Sequence, residues 1–276
     1  MTSSPRFSLL TQSKRLVILA PTSAGMPSKI QNIEVSQHHH KEVLSKVQRL
    51  RGASYLRDGA IQSEHLTGDG RHLQREDNAS FHIVTVEPDG RVTGCARLHQ
   101  YAPNAAPEDL RAWDSALAQN KFWQDRVRRA LKDEMAFARR SNLSFVEVGG
   151  WAVAPDQRFT PEALRIILST FALARAIGGC IGITTATVRN CSAKILQRTG
   201  GSPLRALGQP LPPYYDPQYK CEMEILRFHS NAPLEKYQDQ LQDIANRLAD
   251  VRFICATDAA QHQPVAMPAE VLPNVA

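Results

Sequence analysis

The chain has 276 residues, 42% of them hydrophobic and 22% charged, a balance that excludes a mostly disordered chain, a collagen-like fibre and a coiled-coil rod. Lysine and arginine (33) outnumber aspartate and glutamate (27), for a formal net charge of +6, which draws acidic partners such as nucleic acid, an anionic membrane, a phosphorylated cofactor or an acidic carrier protein. The longest apolar run, Ile166 to Ile177, is interrupted by Ser169, Thr170 and Arg175, so no transmembrane segment of about 20 residues is expected.

Residues 1–30 are rich in Ser, Thr and Pro and carry no acidic residue; they are expected to form a flexible tail. Leu16 to Ala20 is their only apolar stretch, too short for a signal-peptide core of about 7–15 residues. His38-His39-His40 opens a solvated helix running to Leu50 rather than a metal site, because adjacent helical residues point in different directions. Phe81 to Val86 and Val92 to Leu98, joined by Glu87-Pro-Asp-Gly90, predict a β-hairpin. Pro107 to Asn142 is mostly helical in pattern, with a break near Asn120. Arg126, Arg128, Arg129, Arg139 and Arg140 fall on this stretch and form solvated faces, not a nucleic-acid arm.

Phe145 to Val153 predicts a strand. Thr160 and Pro161 then supply an N-cap and a first helical residue for a helix that stops at Gly178-Gly179. Cys180 to Thr185 is the next strand, and a shorter helix runs from about Asn190 to Gly200-Gly201. Cys221 to Phe228 is the last predicted strand. Leu234, Tyr237, Leu241, Ile244 and Leu248 mark a C-terminal helix, and about 20 residues beyond it form a loose tail. The strand–helix–strand unit from Phe145 to Thr185 is long enough to join parallel neighbours, so a hairpin and a parallel pair give a mixed α/β sheet. Five widely spaced cysteines with no CxxC pair suggest neither a zinc ribbon nor a disulfide framework and fit a reduced cytoplasmic compartment.

Val146-Glu-Val-Gly-Gly-Trp-Ala-Val153, the helix after it, Ile181-Gly-Ile-Thr-Thr-Ala186 and the run from Asn190 through Ala193 and Leu196 to Gly200 resemble the later half of GCN5-related N-acyltransferases. Leu50-Arg51-Gly-Ala-Ser-Tyr55, Phe81 to Val86 and Gly94-Cys-Ala-Arg97-Leu98 are similar to the autoinducer (acyl-homoserine lactone) synthases and the related N-acyl amino acid synthases. Tyr214 to Tyr219 and the strand from Cys221 fit the amino acid synthase branch better. The resemblance implies an acyl-CoA N-acyltransferase fold: a mixed, mostly antiparallel central sheet with a splayed parallel strand pair. It places an N-acyltransferase domain at residues 31–230, with the C-terminal helix and tail at 231–276.

The resemblance also implies the site. Glu147 is the catalytic base, with Gly149 and Gly150 allowing close approach of backbone to the thioester. Arg51, Tyr55 and Arg97 face the amino substrate, and arginine suits bidentate recognition of a carboxylate. Trp151, Val153, Arg158, Thr160, Thr184, Thr185 and Asn190 bind the donor. The co-substrate is acyl-CoA or an acyl-phosphopantetheine on a carrier protein; no tightly bound cofactor, metal or nucleic acid is implied.

The chain departs from these families at three places. Gly150 follows Glu147 where autoinducer synthases carry Glu-x-x-Arg. Gln197 stands where many acyltransferases place a tyrosine acid. The diphosphate loop reads Arg158-Phe-Thr-Pro161-Glu-Ala163, and Glu162 in the first helical turn is expected to compete with a bound phosphate. Three readings stay open: acyl transfer to a primary amine such as an amino acid, a homoserine-lactone-type signal synthase, and a non-catalytic acyl-binding module on the same fold.

Overall fold

Short apolar, β-branched segments separated by Gly, Pro and Asp turns assemble one large sheet, and the helices between them cover both of its faces. The protein is described by a computed structural model over residues 14–22, 30–189 and 191–257. The strands are β1 (Arg15–Leu19), β2 (Ile33–Val35), β3 (Ser80–Val86), β4 (Val92–Gln100), β5 (Ser144–Val153), β6 (Cys180–Thr187), the two-residue β7 (Ser202–Pro203), β8 (Arg205–Ala206) and β9 (Gln209–Pro210), then β10 (Tyr214–Asp216), β11 (Cys221–His229) and β12 (Arg252–Cys255). The helices are α1 (Gln37–Arg57), α2 (Gln124–Arg140), α3 (Glu162–Ala176), α4 (Ser192–Arg198) and α5 (Gln238–Arg247).

The main sheet runs β10-β11-β6-β5-β4-β3-β1-β12-β2, with β7 added against β11. The pairs β3–β4, β4–β5 and β6–β11 are antiparallel, whereas β5–β6, β1–β12 and β12–β2 are parallel. This is the expected mixed sheet, and the hairpin, the β5–α3–β6 crossover and β11 fall where the sequence places them.

Alternation along each strand divides the core into layers. Ile18, Ile83, Leu98 and Val146 face α3 and α5, whose Ile166, Phe171, Leu241 and Ile244 fill that side. Leu19, Val84 and Cys95 face α1 through Val43, Leu44 and Val47. Phe145, Ile181 and Ile183 meet α2 through Val127, Leu131 and Met135. Helix α3 is apolar nearly all round because it lies between the sheet and α5. Among the described residues no helix is long and apolar enough to cross a membrane.

Four expectations change. The segment Leu16 to Ala20 is not part of a flexible tail: β1 lies inside the sheet between β3 and β12, with Ile18 and Leu19 fully buried. The described part of the 231–276 region is likewise joined to the sheet rather than appended to it, since β12 inserts between β1 and β2. Helix α1 runs past Leu50 to Arg57, capped by Ser36, whose hydroxyl accepts from the His39 N–H at 3.2 Å. His40 is buried in it, and its Nε2 bonds the Ala20 carbonyl at 2.9 Å. The helical pattern before Asn120 forms only short 3-10 turns, Pro107–Asp109 and Arg111–Asp114, and α2 starts at Gln124. Residues 1–13, 23–29 and 258–276, which include most of the expected tails, lie outside the described residues.

Candidate active site

Strands β5 and β6 pair only from Ser144↔Cys180 to Glu147↔Ile183 and then separate. Each stays bonded on its outer side, β5 to β4 as far as Val153 and β6 to β11 as far as Thr187. Their inner edges therefore present main-chain groups with no strand partner, and such groups need another partner when buried. A cavity of about 700 Å³ fills the gap. The divergence begins at a bulge: Cys95 pairs with Ala152 and Arg97 with Gly149, so β5 carries one extra residue there. Gly150 sits in the bulge at φ +61, where a Cβ would lie 3.3 Å from both Arg97 Cβ and Arg51 Nη1. Glycine is required by backbone angle and by crowding alike.

Of the residues singled out from the sequence, Tyr55, Arg97, Glu147, Gly149, Gly150, Trp151, Val153, Arg158, Thr160, Thr184 and Thr185 line this cavity. Asn190 lies outside the described residues. Arg51 is fully buried behind the cavity wall. The indole N–H of Trp151 is buried without a protein partner, an orphan donor in a wall that is otherwise largely apolar.

Glu147 is 4% exposed. Its Oε2 accepts from the Tyr101 hydroxyl at 2.7 Å and from the Arg111 main-chain N–H at 2.9 Å. Burial pushes its carboxyl above the usual range, against the opposing pull of the Tyr101 bond, the Arg97 charge and the Arg111 N–H. Among the described residues Arg97 pairs with Glu76 at 2.9 Å and Asp77 at 3.9 Å, and not with Glu147.

The arginines expected to face an amino substrate are engaged by the protein. Arg51 is held in a fork by Asp77, Nη1 to Oδ1 at 2.9 Å and Nη2 to Oδ2 at 2.7 Å, and also donates to the His72 carbonyl. Arg97 Nη1 donates to Gln74 Oε1 at 2.8 Å and to Glu76 Oε2 at 2.9 Å. Asp77 is held down to about 2: burial pushes its carboxyl up, and the Arg51 hydrogen bond and charge outweigh that penalty. A role for Arg51 at the substrate is therefore corrected: it lies behind the wall, and Asp77 neutralises its charge.

At the mouth, Arg158 reaches Asp58 Oδ1 at 3.2 Å, and Arg189 donates to the Asp58 carbonyl. Phe159 between them and α3 is fully exposed at φ +63. The expected cap shifts by one residue: α3 begins at Glu162 with Pro161 at the N-cap position, and the Thr160 hydroxyl accepts from the Glu162 N–H at 3.2 Å. The expected competition from Glu162 is not seen. Its carboxylate turns into the protein, 5% exposed, toward Lys14 at 3.7 Å and Arg165 at 3.8 Å. Gln197, at the position of the tyrosine acid, donates to Glu224 at 2.6 Å.

Several residues at the site were not singled out from sequence: Gln74, Glu76, Asp77, Tyr101, Arg111 and Tyr219. They lie on loops, in the short 3-10 turns Asp77–Ala79 and Arg111–Asp114, or just past a strand end, where no periodicity marks a polar residue as functional. Tyr219 lines the cavity with its ring centroid 6.4 Å from that of Tyr55.

A parallel pair that splays at a bulged β5, with α3 crossing between its strands, decides the architecture. The chain has the acyl-CoA N-acyltransferase fold. No family model matches the sequence, and no curated protein matches it either. Among solved structures, that of BjaI, a CoA-dependent acyl-homoserine lactone synthase, with MTA aligns at a TM-score of 0.52 and 15% identity, covering 83% of this chain and 96% of that one. BjaI with SAM and isopentyl-CoA aligns over the same shares at 0.52 and 16% identity. FeeM, an N-acyl amino acid synthase from uncultured soil microbes, aligns at 0.47 and 10% identity over 79% of this chain and 93% of that one. The N-acyltransferase fold accounts for the sheet order and the gap; the chemistry of the gap belongs to this chain's own side chains.

Proposed function

We propose that the protein is an N-acyltransferase that moves a long-chain acyl group from a thioester, on acyl-carrier protein or coenzyme A, to a primary amine. The observation that carries this reading is the buried Glu147 on the wall of the cavity between the splayed strands. The amine nitrogen attacks the thioester carbonyl carbon, the C–S bond breaks, and the nitrogen gives its proton to Glu147; in net terms that proton ends on the departing thiol. A carboxylate whose affinity for protons is raised by burial suits this task near neutral pH. Tyr101 and the Arg111 N–H hold Oε2, which directs Oε1 toward the amine. The free inner edges of β5 and β6 and the orphan Trp151 N–H match the amides of a phosphopantetheine arm, and Arg158 at the mouth suits its phosphate. Val153, Thr184 and Thr185 flank the arm, and Gly149 and Gly150 let the main chain approach the carbonyl.

The rival is a module that binds acyl thioesters without chemistry, favoured by Gln197 being tied to Glu224 in place of a free acid. Incubating the protein with long-chain acyl-CoA or acyl-carrier protein and mixed amino acids separates the two. Release of free thiol with formation of an N-acyl product is expected; thioester binding with no thiol release would leave the binding module standing instead.

A further inference from the structure

Among the described residues that line the cavity, two arginines lack a close carboxylate of their own: Arg189, which donates to the Asp58 and Tyr219 main-chain carbonyls, and Arg111. Arg51, behind the wall, pairs with Asp77 at 2.7 Å, and Arg97, on the wall, with Glu76 at 2.9 Å, all four side chains at most 5% exposed. Arg75 reaches Glu76 and Asp114 from the outer surface, 60% exposed. Arg111 has only the already shared Glu76, with Nη1 3.7 Å from Oε2, and its side chain is 35% exposed. It lines the cavity beside Arg97, Glu147 and Tyr219. Burial pushes the Tyr219 phenol up against the pull of the Arg111 charge.

We infer that Arg111 is the residue that reads the acceptor, binding a carboxylate carried by the amine substrate. The inference rests on the acyl-transfer reading above and gives to Arg111 the clamp expected from sequence at Arg97 and Arg51. Arg51 is neutralised by Asp77, which fills its fork, and the charge of Arg97 is met by Glu76 through Nη1. Arg111 combines a guanidinium whose ion pair is with a Glu76 that Arg97 and Arg75 share with a main-chain N–H on the base, so one residue links the acceptor's carboxylate to the group that takes its proton. An α-amino acid carries carboxylate and amine on one carbon, a spacing that suits a guanidinium next to Glu147. A bidentate fork on a carboxylate also fixes the direction of the amine.

The test uses the full chain in two independent arms. Calorimetric titration with each common amino acid identifies the best binder, which is then compared with its amide and its decarboxylated amine. The amino acid is expected to bind roughly 10- to 100-fold more tightly than either analogue, the worth of a hydrogen bond to a charged group. In Arg111→Gln, which keeps the main-chain N–H on Glu147, that ratio is expected to fall toward one while melting confirms the fold. Equal binding of acid and amide to the wild type, no binding of any amino acid, or an unchanged ratio in Arg111→Gln would each overturn the inference. Should Arg111→Gln fail to fold, the wild-type ratio decides. The second arm measures thiol release from decanoyl-CoA with the same acceptors, and the loss is expected in KM more than in kcat. Carboxylate-selective binding without thiol release would remove the acyl-transfer reading and leave Arg111 as the carboxylate reader.

Discussion

Two arginine–carboxylate clusters border the same cavity and do different work. The inner one, Arg51–Asp77 with Arg97–Glu76, is almost wholly removed from water. The outer one, Arg158–Asp58, is 40% and 22% exposed. In water an ion pair is screened and contributes at most about 1 kcal/mol, so the outer pair can exchange Asp58 for a ligand phosphate at little cost. In the inner cluster each charge depends on its partner, and the pairs fix the wall against which Glu147 and Arg111 are set. Identical chemistry thus serves as scaffold where it is dry and as an exchangeable contact where it is wet.

The largest expected effect concerns the base that the inner wall supports. Glu147→Gln should lower kcat by roughly 10²- to 10⁴-fold with unchanged melting; turnover within a factor of three of wild type would remove Glu147 from the mechanism. The clusters themselves should separate in stability. Asp77→Ala strands a buried Arg51 and should cost about 3–5 kcal/mol in urea unfolding, whereas Asp58→Ala should cost at most about 1 kcal/mol. Equal costs would erase the distinction between dry and wet pairs.

Acid provides a finer probe of the inner cluster. Burial lowers His82 and His72 to about 4 each from the ordinary imidazole value of 6.5, so the unfolded chain binds more protons than the folded one between these values. Their contribution is complete above about 6.5 and is lost as pH falls toward 4; that of Asp77 follows between about 4 and 2. Glu147, raised by burial, acts in the opposite sense and is a single group. Thermal melts from pH 8 down to 4 should therefore show a flat Tm above about 6.5 and a steady decline below it. A flat profile throughout would mean that both histidines are solvated. The smallest effect belongs to the mouth: acyl-carrier protein should be the better donor at low salt, with its kcat/KM advantage over acyl-CoA shrinking toward ~1 M salt. A coenzyme A donor superior at every salt concentration would show that the mouth holds a diphosphate as it stands.

The hairpin, β5, α3, β6 and β11 were legible because each is a local pattern: alternation, a Thr-Pro start, a Gly-Gly stop. Glu147, singled out through the family resemblance, is buried on the cavity wall. Strand β1 was not legible, since five residues among prolines have no meaning until β12 pairs with them from the far end of the chain. The partners of Arg51 and Arg97 were hidden for a similar reason. Glu76 and Asp77 sit in a polar loop whose composition reads as solvent-facing, and only the fold brings them under α1. Arg111 lay in a stretch read as helix, where one more arginine is unremarked.

The parallel register of Val17 with Arg252 and of Phe253 with Ile33 also sets an order of assembly. During synthesis, which proceeds from the N-terminus, β1 can pair with β3 early, but its other edge stays bare and β2 has no partner at all until β12 emerges. That half of the sheet is thus closed last, by contacts of very long sequence separation, which are the slow ones in folding. Until then a hydrophobic strand with a row of unsatisfied amides faces the cellular milieu, the kind of edge on which chains cross-associate. Nascent chains halted before Arg252 should accordingly be the species most in need of a chaperone.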